Sequence, residues 1–144
     1  MNNEKKTTIF LVDDDAIFLT LLEIEFVQNT DFIIRTFPTG ESCIKELHLN
    51  PDIIVLDYHL DGIDKNAMNG METLDQIKAL NKVIPVIMLS SQDKIDVAIN
   101  CMHHKAYDYV VKSETAFMRL TKIVNTIAHY EKLEKELSWY MDRM

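Results

Sequence analysis

Along this chain, short apolar runs alternate with stretches of helical periodicity. Thr8–Val12 is a short run rich in β-favouring residues. Ala16–Asn29 carries Ile17, Leu21, Ile24 and Val27 at steps of three and four, which predicts a helix with those residues as its apolar stripe. Phe32–Phe37 reads as a strand stopped by Pro38, and Thr39–Leu49 as a helix with Thr39 placed to cap it. Ile53–Leu56 is apolar throughout and predicts a buried strand, followed by a long polar loop over Tyr58–Asn69. Gly70–Lys82 is helical, with Met71, Leu74, Ile77 and Leu80 recurring, and Val86–Leu89 is a second fully apolar strand. Asp93–His103 predicts a weaker helix capped by Ser91 or Asp93, and Tyr107–Val111 a last strand. Ser113 then opens a helix whose pattern continues almost to the end of the chain.

Five strands alternating with five helices argue for a parallel sheet covered on both faces. Strands buried on both faces should be almost continuously apolar, and IIVL and VIML are. With 144 residues, the chain fits one compact α/β domain. Gly and Pro occur three times each and mark turns, not a linker.

Composition narrows the function classes. A net charge of −8 repels nucleic-acid phosphates, and the lysines are scattered among acids, so direct binding to nucleic acid is not expected. The apolar runs are far too short to span a bilayer, and Met1–Thr8 is polar with no signal-peptide core behind it. The expectation is a cytoplasmic protein without a membrane partner. Cys43 and Cys101 make no disulfide framework and read as buried thiols. Cys101, His103 and His104 supply at most part of a zinc ligand set; a solvent-facing His pair is the plainer reading.

The residues that carry chemistry stand at the strand ends. Asp13, Asp14 and Asp15 come directly after the first strand, Asp57 after the third, Ser90 and Ser91 after the fourth, and Lys112 after the fifth. In an open parallel sheet all strand C-termini lie along one edge, where ligands bind. Topology alone therefore gathers acids, a hydroxyl and an amine into one cleft. Clustered carboxylates repel one another and call for a hard divalent cation, of which Mg²⁺ is the common one. A carboxylate can also attack phosphorus to give an aspartyl phosphate, with the metal, an ammonium and a hydroxyl holding the transferred charge. Asp57 as nucleophile, Lys112 and Ser90 fill those roles, and Asp15 is left to cap the first helix.

Those stretches, IFLVDDD, IIVLDYHLDG, PVIMLSSQDK and AYDYVVKS, resemble the response-regulator receiver domains of two-component signalling. The resemblance covers roughly Thr7 to Ile127 and rests on four motifs in order. It implies a flavodoxin-like, doubly wound five-stranded sheet in the order 2-1-3-4-5. It puts the metal on Asp13, Asp14, Asp57 and the backbone carbonyl of His59, and the phospho-acceptor on Asp57. The phosphate-sensing hydroxyl falls on Ser90, the switch aromatic on Tyr109 and the family's lysine on Lys112. It implies Mg²⁺ as cofactor and a sensor histidine kinase or histidine phosphotransfer protein as donor. The protein would then be a phosphorelay switch that catalyses only its own phosphorylation and dephosphorylation.

The chain departs from the family pattern in three places. Asp61 stands where a proline usually follows the acceptor, the loop before Asn69-Gly70 is longer than usual, and Ser113 replaces a cis proline after Lys112. A cis bond before serine costs roughly 2.5–4 kcal/mol, so a trans Lys112–Ser113 bond is expected. The alternative function is an aspartyl-phosphate phosphatase or phosphotransferase, but position 59 holds His59 instead of the acid such an enzyme would use. The receiver is expected over residues 7–129, with residues 130–144 as a helical extension. There Tyr130, Leu133, Leu137, Tyr140 and Met144 continue the stripe of Phe117, Leu120, Val124 and Ile127. An unpartnered stripe predicts a homodimer contact through the C-terminal helix, or the start of a linker to an output element.

Overall fold

The computed structural model describes residues 6–144. Its strands are β1 (Thr8–Val12), β2 (Ile33–Phe37), β3 (Ile53–Asp57), β4 (Val86–Ser90) and β5 (Asp108–Val111). Its helices are α1 (Ala16–Asn29), α2 (Gly40–Lys45), α3 (Gly70–Leu80), α4 (Ile95–His103) and α5 (Ala116–Met141). The strands pair in parallel, in the order β2-β1-β3-β4-β5. This is the flavodoxin-like α/β fold, ending in a long α5. Every residue of β3 and β4 is buried, as strands covered on both faces require.

Two apolar layers flank the sheet. On one face Phe10, Ile54, Leu56, Met88, Leu74, Ile77 and Cys101 pack under α2, α3 and α4. On the other, Ile9, Leu11, Val55, Leu89, Leu22, Phe26, Leu120 and Val124 pack under α1 and α5. Phe26 meets Phe117 edge to face at 5.0 Å, which ties α1 to α5. Cys43 and Cys101 are free and buried. No helix of the described residues is long and apolar enough to cross a membrane.

Three local expectations are corrected. The α1 stripe of Ile17, Leu21, Ile24 and Val27 is not the core face: Ile17 is 75% exposed and Val27 59%. Phe18, Leu19, Leu22 and Phe26, on the opposite side, face the sheet. Both sides of α1 are apolar, and the one carrying two Phe side chains buries the larger area. The single helix expected over Thr39–Leu49 breaks. Glu46 N–H reaches back to Cys43 in a tighter turn, and the chain leaves α2 into a 3-10 turn, Leu47–Leu49, closed by Asn50 in the left-handed region at φ 56°. The α4 cap is Lys94, with no side-chain hydrogen bond, so neither Ser91 nor Asp93 caps it. The His pair faces solvent as expected: His103 is exposed, and His104, its side chain 40% exposed, sets Nδ1 2.8 Å from Asp75 Oδ1 on α3. Thr39 caps α2 and Asp15 caps α1 as expected. No cis peptide occurs among the described residues, so the Lys112–Ser113 bond is trans.

Helix α4 ends in a Schellman turn. Ala106 N–H bonds to Cys101 O and Lys105 N–H to Met102 O, both at 3.1 Å. This puts Lys105 at φ 75°, where a Cβ costs roughly 1–2 kcal/mol and glycine is normal. Lys105→Gly should therefore stabilise the protein by about 1 kcal/mol, against the usual loss for a glycine substitution. Urea denaturation of the two proteins measures this, and a less stable variant would refute the strain.

Candidate functional site

Strand β1 runs straight into Asp13, and β3 ends on Asp57. The two strands are neighbours in register, Val12 opposite Leu56, so their next residues emerge side by side at one sheet edge. Both acids are buried, Asp13 3% and Asp57 2% exposed. Lys112 leaves the end of β5, where its N–H donates to Ser90 O at 2.7 Å. Its side chain reaches back across β4, placing Nζ 2.8 Å from Asp13 Oδ2 and 3.4 Å from Asp57 Oδ1. The Phe18 ring lies 4.7 Å beneath the same ammonium.

Burying two carboxylates together perturbs them. Burial first, and the Asp13 charge second, push Asp57 up to about 8; Lys112 and a backbone hydrogen bond from His59 only partly offset this. Burial alone would lower the Lys112 ammonium, but hydrogen bonding and charge from Asp13 and Asp57 outweigh it and hold its pKa above the usual lysine range.

Asp14 is partly exposed at the rim. Asp13, Asp14 and Asp57 each offer one carboxylate oxygen, and these oxygens lie within 4.8 Å of one another. Asp13 Oδ2 is buried, with the Lys112 ammonium 2.8 Å away. An all-oxygen donor set with a net negative charge fits a hard divalent cation such as Mg²⁺.

Ser90, at the end of β4, is fully buried, and its Oγ accepts from Gln92 N–H at 3.1 Å. The Tyr109 hydroxyl donates to the Gln92 carbonyl. Burial raises the Tyr109 phenol, and a hydrogen bond with Ser90 opposes the rise. The His59 ring stands edge-on to Tyr58 at 4.9 Å, with Nε2 3.0 Å from Gln92 Nε2. The structure thus gathers Asp13, Asp14, Asp57 and Lys112 tightly, and links Ser90, Tyr109 and the His59 side chain through Gln92.

Gln92 and Phe18 escape sequence reasoning. Gln92 lies in the PVIMLSSQDK stretch with no role of its own there, and Phe18 hides in a helix with apolar residues on both sides. The long loop is also tied down. Gly62 N–H donates to Asp14 Oδ2 at 3.2 Å, Met68 N–H to Glu41 Oε2 at 3.0 Å, and Gly70 N–H to Tyr58 O at 3.0 Å. A Cβ on Gly70 would collide with the carbonyl oxygens of Asp57 and Tyr58, so α3 begins directly against the backbone that carries Asp57.

The chain is similar to known proteins in sequence and in fold. The family model of the response regulator receiver domain matches residues 9–125. A protein-glutamate methylesterase/protein-glutamine glutaminase of Clostridium acetobutylicum is 32% identical over 112 residues, 74% of this chain and 31% of that protein. The DNA-binding transcriptional regulator NtrC of Escherichia coli K12 is 25% identical over 128 residues, 88% of this chain and 26% of its own length. The crystal structure of NtrX from Brucella abortus superposes with a TM-score of 0.79 at 25% identity, covering 93% of this chain and 29% of that one. The chain spans less than a third of the length of these relatives.

The raised Asp57 pKa sets a pH dependence for the metal-free protein. The folded state holds a proton that the unfolded state, titrating near 4, gives up first. Stability should therefore fall as pH rises from about 4 towards 8, by up to about 1.4 kcal/mol for each pH unit crossed. In EDTA, Asp57→Asn removes that loss, so the variant should be the more stable protein at pH 8 and lose its advantage near pH 4. Parallel stability curves for the two proteins across that range would refute the assignment of a buried, protonated Asp57.

Proposed function

The chain belongs to the response regulator receiver domain family, and on that premise we propose that it is a phospho-accepting switch in which Asp57 receives a phosphoryl group from a phosphohistidine. The observation that carries this reading is the buried Asp13–Asp57 pair held beside Lys112 at the end of the sheet.

Asp13, Asp14, Asp57 and the backbone carbonyl of His59 are the residues that would hold Mg²⁺. When bound, the ion supplies positive charge that keeps Asp57 ionised and neutralises the incoming phosphoryl oxygens. An Asp57 carboxylate oxygen attacks phosphorus; the new O–P bond forms as the donor's N–P bond breaks, and the bonding pair leaves with the imidazole nitrogen. The Lys112 ammonium, already paired to both acids, transfers part of its interaction to the phosphoryl oxygens. The Ser90 hydroxyl turns from Gln92 N–H towards the phosphoryl group, and Tyr109, bonded to the Gln92 carbonyl, follows that movement. This is the switch.

A phosphodonor protein needs a surface beside the cleft. The outward stripe of α1 begins at Ile17, two residues beyond the Asp15 cap, and runs through Leu21, Ile24 and Val27, all exposed. An unpartnered apolar face at the rim of the acceptor site suits a helical donor such as a sensor kinase or histidine phosphotransfer protein. A cytoplasmic setting goes with this reading, since the donor draws its phosphate from ATP. The rival phosphatase would need a general acid two residues after Asp57, and the His59 ring is turned towards Gln92.

Acetyl phosphate or beryllofluoride should modify the wild-type protein when Mg²⁺ is present and leave it unchanged in EDTA. Asp57→Asn should abolish modification, and Lys112→Met should slow it by at least about tenfold, the scale of one lost charge-assisted contact. Intact-mass spectrometry reads the phosphoryl adduct. Equal uptake by the Asp57→Asn protein would remove Asp57 from the acceptor role.

A further inference from the structure

Lys112 carries its charge at the end of a long flexible stem, which has many rotamers to lose before the ammonium stands at one point. Its head is nonetheless held. Nζ lies 2.8 Å from Asp13 Oδ2, 3.4 Å from Asp57 Oδ1 and, over the face of the Phe18 ring, 4.7 Å from the ring centre. The lysine side chain is 17% exposed, so the negative face of the ring acts on a largely dehydrated charge, where such contacts are strongest. The ring is itself aimed from the acid cluster. Asp15 N–H donates to Asp13 Oδ1 at 2.9 Å, and Asp15 Oδ1 accepts from the N–H groups of Ile17 and Phe18, both at 3.1 Å. The first turn of α1 is thereby fixed to Asp13, and Phe18 packs from that turn onto the core beneath α1 and α5.

We propose that Phe18 is a positioning residue for phosphoryl transfer: its ring holds the Lys112 ammonium at the acceptor while the two acids change partners. This rests on Asp57 being the acceptor. The acids and the ring hold the ammonium by different chemistry. A divalent cation competes for the carboxylate oxygens, and one Asp57 oxygen becomes part of the new O–P bond, so both ionic contacts weaken as the reaction proceeds. Ring carbons ligate no hard cation and form no bond to phosphorus, so the Phe18 contact persists through the exchange. The ammonium can then turn from carboxylate to phosphoryl oxygen without swinging out into water. A leucine would fill much of the same apolar space but has no π face to offer, which separates this role from simple packing.

Ring electronics test the proposal on the full chain. A difluorinated phenylalanine in place of Phe18 weakens the negative face at nearly constant shape, so the fold is not at stake. With acetyl phosphate and Mg²⁺, that protein should be modified more slowly than wild type, and Phe18→Leu more slowly still, by about three- to tenfold. In a Lys112→Met background, Phe18→Leu should make no further difference, because the charge that the ring holds is gone. Intact-mass spectrometry reads these rates. The contact also has a signal that needs no chemistry. The Lys112 ε-methylene protons, assigned by their loss in Lys112→Met, should resonate upfield of the other lysines and return to them in Phe18→Leu. A wild-type protein that takes up no phosphoryl group overturns the acceptor reading and this role with it. Normal uptake by the wild type overturns the positioning role alone if Phe18→Leu slows both backgrounds equally, if the fluorinated ring leaves the rate unchanged, or if the lysine signal does not move.

Discussion

The structure turns on negative charge held out of water at one end of the sheet. Asp13 and Asp57 sit side by side because β1 and β3 are parallel neighbours in register, and each is almost wholly buried. Two such carboxylates cannot both ionise cheaply without a compensating cation. The protein supplies one from the far side: Lys112 stems from β5, two strands away from β3, and only a long, flexible side chain spans that gap. Its stem crosses β4 and its head lies on Phe18, so α1, β1, β3, β4 and β5 all converge on one ammonium. One protein cation against three acids leaves the cluster net negative, which is what a bound divalent ion and an incoming phosphoryl group would correct.

This convergence was legible because it follows from topology. Alternating strands and helices dictate a parallel sheet, and a parallel sheet aligns its strand ends, so the residues just after each apolar run could be read as neighbours before any contact was known. What could not be read depended on three-dimensional competition. In α1 both faces are apolar, and periodicity cannot say which one the sheet takes; the choice went to Phe18, Leu22 and Phe26 through the area they bury. The break after α2 arises from one tightened turn at Glu46, which no residue type announces. Gln92 enters the site mainly through its backbone N–H and carbonyl, groups every residue possesses, so its place between Ser90 and Tyr109 leaves no mark in the sequence.

The long loop after β3 shows how an unusual insertion can be tolerated beside a buried site. Its ends are pinned by the Gly70–Tyr58 bond, and the Asn69 and Glu72 side chains box the start of α3. With both ends fixed, added residues cost little beyond their own ordering, since closure entropy grows only slowly with length. The excursion is held at two points, by Asp14 at the cleft and by Glu41 on α2. The first of these contacts means that the loop and a cation make claims on the same Asp14 carboxylate. Loop geometry and cation binding at this carboxylate would therefore be linked through a single side chain.

The two apolar surfaces left unpartnered lie at opposite ends of the molecule. The α1 stripe starts at the cleft, whereas α5 starts near the cleft and runs back along β5, so its exposed end leaves the opposite edge of the sheet. At 1.5 Å per residue, α5 carries its tip about 39 Å away from Lys112 and the acids. Charge added at Asp57 is screened over about 8–10 Å in physiological salt, so a phosphoryl group cannot influence the tail by its field. Any influence has to be mechanical, through the unit that both ends share: β5, which carries Tyr109 and leads into Lys112, and α5, whose Leu120 and Val124 are packed against the sheet. A packed helix moves as a rigid body or not at all, so small displacements at Tyr109 would reach the exposed end of α5 as a shift of the whole helix.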